Sequence, residues 1–322
     1  MSNLSRRVLA GSAAALALSP LASARADERP VRLVVGFPPG SGIDTIARVV
    51  AEKMRGALGR PVVVENKPGA AGIVAALAVK AAPPDGTTLL LTPLAQMTYF
   101  PIVYAKLDYD PFKDFAPVAH VGDFQMGLGV GAEVPARSLA EYAALAKKGG
   151  AYANFSAVSV GSLPHFFGLL FARTAGIDLT FVPYKGAAPV MQALIAGEIP
   201  AAVLPIADLG TLVQSGKGRL LATTGATRSA RYPDAPTFKE SGYDIEGLAW
   251  YALFAPAGTP GPILDSLSRA AIDAVRQPDV MQVLAAMDVQ ATGLGRERLA
   301  AIQRADYDKW APVIRASGFK AD

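Results

Sequence analysis

Three short loops hold the residues best suited to chemistry in this chain, and each one joins a β-rich apolar run to a helical pattern. The first is Pro39-Gly40-Ser41-Gly42-Ile43-Asp44. The second runs from Phe155 to Ser162 and enters a helix with Pro164 in its first turn, and the third is Pro183-Tyr184-Lys185-Gly186. A helix start presents free N–H groups and the positive end of the helix dipole, so such loops favour an anion. The candidate ligand residues are therefore Pro39, Gly40, Ser41, Gly42 and Asp44, then Ser156, Ser159, Gly161, Ser162 and His165, with Lys185 at the third loop. Thr92 joins them at the end of another strand on the same sheet edge. For the first loop the competing reading is an ordinary turn with Asp44 as a helix-start residue.

Other chemistries find little support. The first loop lacks the Gly-Lys-Ser/Thr of a phosphate loop, and Thr45 stands where a dinucleotide fingerprint needs its third glycine. There is no cysteine, which removes disulfides, thiol catalysis and thiolate metal sites. The two histidines, His120 and His165, lie in different segments and make no helical pair for a metal. No Gly-x-Ser-x-Gly elbow occurs, and Ser162 with His165 three residues on suits a helix cap and first turn. Asp108 and Asp110 flank a turn at Pro111 and read as a solvated loop. Lys185 either pairs with a ligand carboxylate or is a surface lysine, and Met97, Tyr99 and Phe100 suit a core better than a ligand wall. Catalytic residues, a metal and a cofactor are thus not expected.

The elements that must position these loops alternate strand and helix, the signature of α/β layers. Strands are expected at Val31 to Val35, Pro61 to Glu65 and Thr87 to Leu91, with helices from Ile43 to Leu58 and from Ala70 to Ala82. A second series follows Val134-Pro135: helices at Leu139 to Lys147, Pro164 to Thr174, Ala188 to Ala196 and Ile206 to Ser215, and strands at Ala153 to Ala157, Leu179 to Val182, Ala201 to Leu204 and Arg219 to Thr223. After Trp250 to Pro256 come helices Pro262 to Arg276, Asp279 to Ala286 and Arg296 to Ala316, which read as a return to the first series. In open parallel sheets the strand-to-helix loops gather at the carboxyl edge, so loops of two lobes can face one cleft.

The first residues form an export signal: Arg6 and Arg7, an apolar core from Val8 to Leu18, and a small-x-small site at Ala24-Arg25-Ala26. Cleavage after Ala26 is expected, by a twin-arginine or an ordinary secretory route. Removing the three leader arginines from the net charge of +4 leaves about +1, and the remaining cations are scattered among acids. A nucleic-acid partner is therefore not expected. A chain of 322 residues with 51% apolar composition exceeds one core and implies two domains.

In order along the chain, Gly36-Phe37-Pro38-Pro39-Gly40-Ser41-Gly42-Ile43-Asp44, Val64-Glu65-Asn66-Lys67-Pro68-Gly69-Ala70, Pro84-Asp85-Gly86, Tyr109-Asp110-Pro111, Ser162-Leu163-Pro164-His165, Val182-Pro183-Tyr184-Lys185-Gly186 and Phe254 to Pro260 occur. This series resembles the tripartite tricarboxylate transporter receptors, the Bug-type periplasmic binding proteins. The resemblance implies an α/β, two-lobed binding-protein fold, each lobe a mostly parallel sheet flanked by helices. Residues 27–124 plus 251–322 would form one lobe, 125–250 the other, and 1–26 the signal peptide. It also implies a monomeric periplasmic receptor that closes over a small organic carboxylate, held largely by backbone amides, hydroxyls and water at the loops matching Pro39 to Asp44 and Ser156 to Ser162. The partner would be a membrane permease, with no cofactor. Alternatives are a ligand sensor for a signalling partner, or an enzyme on the same architecture. Two departures from the family pattern stand out: Val158 and Val160 replace a glycine and a polar residue, and Leu204-Pro205 stand where relatives often place Asp and Asn. They lead us to expect an acid with an aromatic or alkyl body in preference to citrate or malate.

Overall fold

In the computed structural model, residues 29–184 and 186–321 are described. The expected leader with its cleavage site, and Lys185, lie outside these residues. The strands are β1 (Val31–Val35), β2 (Val62–Asn66), β3 (Thr88–Pro93), β4 (Phe115–Gly131), β5 (Asn154–Ser156), β6 (Thr180–Phe181), β7 (Ala201–Pro205), β8 (Gly218–Thr223), β9 (Leu248–Pro256) and β10 (Gln290–Gly295). The helices are α1 (Gly42–Leu58), α2 (Ile73–Lys80), α3 (Leu94–Thr98), α4 (Phe100–Val103), α5 (Leu139–Ala146), α6 (Leu163–Ala175), α7 (Ala187–Ala196), α8 (Ile206–Gln214), α9 (Gly261–Val275), α10 (Pro278–Ala286) and α11 (Arg296–Ala316).

In β1 all but Arg32 are apolar and buried, with parallel strands β2 and β3 on both sides. Helix α1 turns Ile43, Ile46, Ala47, Val50 and Met54 inward at helical spacing and stops where Gly59 adopts a left-handed conformation. The strand order is β2-β1-β3-β9-β4-β7-β5-β6, with β8 and β10 also on β4. The outer pairs β1–β2, β1–β3, β5–β6 and β5–β7 are parallel, as the alternating elements imply. The middle is antiparallel, because β9 and the 17-residue β4 cross between the two lobes. Along β4 the partner is β9 as far as Gln125, and β7 from Met126 onward. A Cβ on Gly127 or Gly129 would lie 2.5 Å from a methyl of Leu220 or 2.6 Å from a methyl of Leu209, so a side chain there would displace these leucines of β8 and α8.

Two further points differ from the expected elements. The segment from Ala70 does not begin as a helix: Ala70 and Ala71 have φ of 45° and 53°, and α2 starts at Ile73. After β3 the chain forms the short α3 and α4, which bury Met97, Tyr99 and Phe100.

One core lies under α1, α9 and α10, and another beneath α7 and α8. A third runs through both lobes and joins Val34, Leu90 and Met97 to Phe155, Phe166 and Val203. At its centre the Trp310 ring of α11 meets Phe167 of α6 edge-on at 4.8 Å and Tyr99 at 5.9 Å. Beside it Trp250 of β9 donates its indole N–H to Asp306 Oδ2 of α11 at 2.7 Å. Burial lifts the Asp306 carboxyl to about 6.

Candidate functional site

A cavity of about 290 Å³ opens between the lobes, near the lower end of the usual size for small-molecule sites. Phe37, Ala71, Pro93 to Gln96 and the α4 residues Phe100 and Val103 line it on one side. Residues Val158 to Pro164 and Pro205 line the other, and Phe124, Met126, Ala249 and Tyr251 of the crossing strands form its back. Phe124 and Tyr251 stack there with ring centroids 5.0 Å apart. Burial, aided by the Asp208 charge, pushes the Tyr251 phenol up to about 12, so it stays a neutral donor. Among the described residues no charged side chain lines this cavity.

Of the candidate loops, the second reaches the cavity. Ser159, Gly161 and Ser162 lie on its wall, directly ahead of α6. Ser162 occupies the N-cap position with extended backbone, yet its hydroxyl donates to the Ser159 carbonyl at 2.6 Å instead of accepting from the first turn. Consequently the N–H groups of Ser159, Val160, Leu163 and His165 keep no acceptor among the described residues. Ser159, Val160 and Leu163 are on the cavity wall, where free N–H groups at a helix start suit an anionic oxygen.

His165 stands behind this loop. Its Nδ1 accepts the Gly161 N–H at 3.1 Å, which puts the ring proton on Nε2. Phe155, Phe166, Phe181 and Phe319 surround the ring, and burial depresses its proton affinity to about 4. His165 is therefore a neutral prop for the loop and is not on the cavity wall. Gly161 itself has φ of 72°, and a Cβ there would lie 2.5 Å from the Phe319 ring. Phe319 belongs to the segment after α11 whose Ala321 N–H donates to the Val103 carbonyl at 2.8 Å and whose Ala321 closes one edge of the cavity.

The first loop stands apart from this cavity. Pro39, Gly40, Ser41, Gly42 and Asp44 do not line the cavity; only the neighbouring Phe37 does. The Asp44 carboxylate folds back into the protein, accepts from Arg48 Nε and Nη2 at 2.9 and 3.0 Å, and accepts from Gly40 N–H and Asn66 Nδ2 at 2.8 Å each. The Arg48 bond, followed by those from Gly40 and Asn66, holds it down at about 2 despite burial. A permanent negative charge thus already occupies the start of α1 and opposes a second anion there. Gly42 is packed instead against Met287.

Thr92 is buried behind Pro93, and Ser156 donates to the Val182 carbonyl at 2.8 Å, tying β5 to the end of β6. Neither joins the cavity wall. Sequence reasoning did not single out Gln96, Phe124, Tyr251 or Ala321, whose only signal was their nearness to strand ends and to the crossing segments. A groove beside Arg60, Asp85 and Pro262 shares no residue with the candidate loops. A wider one of about 710 Å³ runs from Gln125 past Gly225 to Asp288, where Arg231 bridges to Asp288 at 3.2 Å.

Comparison with known proteins identifies the family and the fold. Residues 46–319 match the profile described as tripartite tricarboxylate transporter family receptor. A protein encoded in the tcbD-tcbE intergenic region of Pseudomonas sp. strain P51 is 31% identical over 96% of this chain and 93% of its own. Among solved structures, MatC from Rhodopseudomonas palustris with bound malate superposes with a TM-score of 0.76 at 32% identity, covering 89% of this chain and 99% of that one. An R. palustris protein with adipate gives 0.80 at 28% identity, covering 91% and 99%.

Proposed function

Because the chain belongs to the tripartite tricarboxylate transporter receptor family, we propose that it captures an organic acid with an aromatic or alkyl body in the periplasm and hands it to the membrane permease of that transport system. The observation that carries this reading is the cavity wall: one cluster of unpaired N–H groups ahead of α6, facing an otherwise apolar lining. The malate bound to one R. palustris relative and the adipate with the other support the carboxylate class. A carboxylate placed at Ser159 to His165 gains charge-assisted bonds. A second or third carboxylate left against Val158, Val160, Leu163 or Pro205, away from the hydroxyls of Tyr104 and Tyr251, has no partner. An unpartnered polar group of that kind costs on the order of 1 to 3 kcal/mol, which is roughly one to two powers of ten in affinity. An apolar body instead gains about 25 cal/mol for each Å² it buries.

The lobes in this reading are residues 27–124 with 251–322, and 125–250, and they close by bending where β4 changes partner and where β9 crosses beside it. Small-angle scattering with saturating ligand should show a more compact particle. Thermal shift with hexanoate, benzoate, citrate and malate at equal concentration ranks the acids, since a ligand of the folded state raises stability with the logarithm of concentration over Kd. Mass analysis of the recovered ligand should find it unchanged. A larger shift with citrate or malate than with either apolar acid overturns the assignment of the cavity.

A further inference from the structure

An ion pair joins the lobes away from both the crossing strands and the α6–α11 seam. Arg231 lies in the loop after β8, and Asp288 in the turn between α10 and β10. Arg231 Nη1 donates to Asp288 Oδ2 at 3.2 Å and to the Ala286 carbonyl, at the end of α10, at 3.4 Å. The guanidinium thus meets a carboxylate and the negative end of a helix together. The pair spans the groove of about 710 Å³, which meets the ligand cavity at Phe124.

Each partner is fixed within its own lobe. Tyr232, next to Arg231, is buried with Ile206 of α8 and Ala235, and the Arg231 N–H donates to Ser229 Oγ at 3.2 Å. Asp288 stands between Leu284 and Val289, both buried in the core under α1, α9 and α10, and the β10 that follows pairs with β4 from Ala119 to Asp123, ahead of the point where β4 changes partner. The Asp288 backbone has φ of 55°, a left-handed conformation that suits glycine best. Its side chain is 7% exposed, and among the described residues Arg231 is its hydrogen-bond partner. Burial pushes the carboxyl up and the guanidinium pulls it back. A nearly buried carboxylate on a strained turn therefore takes its counter-charge from the other lobe.

We infer that the Arg231–Asp288 pair is a latch that holds the ligand-free lobes in the arrangement that forms the cavity. This rests on the two-lobe hinge reading given above and not on the class of ligand. Cavity and pair occur in the same arrangement of the lobes, so bending at the crossing strands makes or breaks both. The Arg231 side chain is 43% exposed, so the latch shifts the balance between open and closed forms by a factor of about two to five and does not lock it. The receptor then samples its closed form before a ligand arrives, and release needs only the loss of a half-exposed charge pair.

The test is the distance between the lobes in the ligand-free protein. The chain has no cysteine, so Glu52→Cys on α1 and Gln192→Cys on α7, both at exposed positions, take two spin labels for pulsed electron resonance. The expected wild-type result is two distances with one dominant. Asp288→Gly removes the carboxylate and relieves the left-handed φ, and Arg231→Met removes the charge and keeps an apolar stem. Each should raise the minor population about two- to fivefold, and the double variant no further than the larger single effect. Raising salt from about 0.01 to about 1 M, which cuts the screening length from about 30 to about 3 Å, should do the same in the wild type and little in the variants. That arm decides even where a variant fails to fold. Two distances whose proportions ignore both the substitutions and salt overturn the latch and leave the hinge reading standing. Fully additive effects in the double variant also overturn it, since the two side chains then act separately. A single distance in every protein and condition overturns the latch and the hinge reading together.

Discussion

Acidification should strike the α6 loop through His165. The ring is buried among four phenylalanines, and its one hydrogen bond, from Gly161 N–H to Nδ1, exists only while that nitrogen is unprotonated. Folding therefore favours the neutral ring and depresses its proton affinity from the ordinary 6.5 to about 4. A group depressed in this way contributes stability that is fully present above the unfolded value and is lost as pH falls through the interval down to the folded one. Between the two values the loss amounts to about 3 kcal/mol as an upper figure, at 1.36 kcal/mol for each tenfold change in proton affinity. His165→Gln presents an acceptor that does not titrate, so it isolates this contribution from that of the carboxylates. Urea unfolding at pH 7 and pH 4.5 should show the wild type losing roughly 2 to 3 kcal/mol more than the variant over that range. Ligand affinity should fall only nearer pH 4, where the folded ring itself takes up a proton and the loop carrying the cavity's N–H groups loses its prop. Parallel stability curves for the two proteins, or an NMR titration of the imidazole with a midpoint near 6.5, would refute the reasoning.

Other expectations rest on separate contacts. Gly161→Ala meets both a left-handed φ and the Phe319 ring, so it should lower ligand affinity at least tenfold by titration calorimetry, whereas Gly40→Ala, with φ of 81° and no atom within 4 Å, should cost about 1 kcal/mol of stability and leave affinity unchanged. Asp44→Asn removes a carboxylate held at about 2 and should destabilise the fold by about 2 kcal/mol at pH 7 in urea unfolding. That difference should vanish only as pH falls from 3.8 toward 2, where the wild-type carboxylate takes up its proton. Asp306 has the opposite sign: burial raises it to about 6, so the protonated form suits the folded state and stability falls as pH rises from about 4 to 6. Asp306→Asn keeps an acceptor for the Trp250 indole without a charge and should stabilise the protein by about 1 to 3 kcal/mol at pH 7, read as a raised Tm.

Elements with strong apolar periodicity were legible from the chain alone. Strand β1 falls on its expected residues, α1 within one residue of its start, and α11 on its expected span. Strand β4 was harder to see, since Gly122, Gly127, Gly129 and Gly131 interrupt its pattern and are explained only by what crowds them in three dimensions. The small residues after Gly69 read as the first turn of a helix because alanine favours helix, and packing against Gln96 overrides that preference locally. At the site, the small-residue loop ahead of α6 was recognisable as a candidate, and it does line the cavity. The first loop has the same composition and a different fate, decided by which way one carboxylate turns, and sequence does not encode that direction locally. The walls supplied by Gln96, Tyr251 and Ala321 depend on chain segments meeting from far apart in the sequence, so no local pattern announces them.

The aromatic seam between the lobes also gives the protein an optical reporter of its own. The chain has two tryptophans, and both stand where the lobes meet: Trp250 on a crossing strand and Trp310 against Phe167 of the opposite lobe. Each tryptophan is about 1% exposed, so water contributes little quenching at rest, and the near neighbours are Asp306 and the His120 ring at Trp250 and the Phe167 and Tyr99 rings at Trp310. Any rotation of α6 against α11 alters the Phe167 edge contact, and any bend of β9 alters the Trp250 hydrogen bond. Emission wavelength and lifetime therefore follow the angle between the lobes without a label, and a single-tryptophan variant of each kind separates sliding of the helices from flexing of the strands.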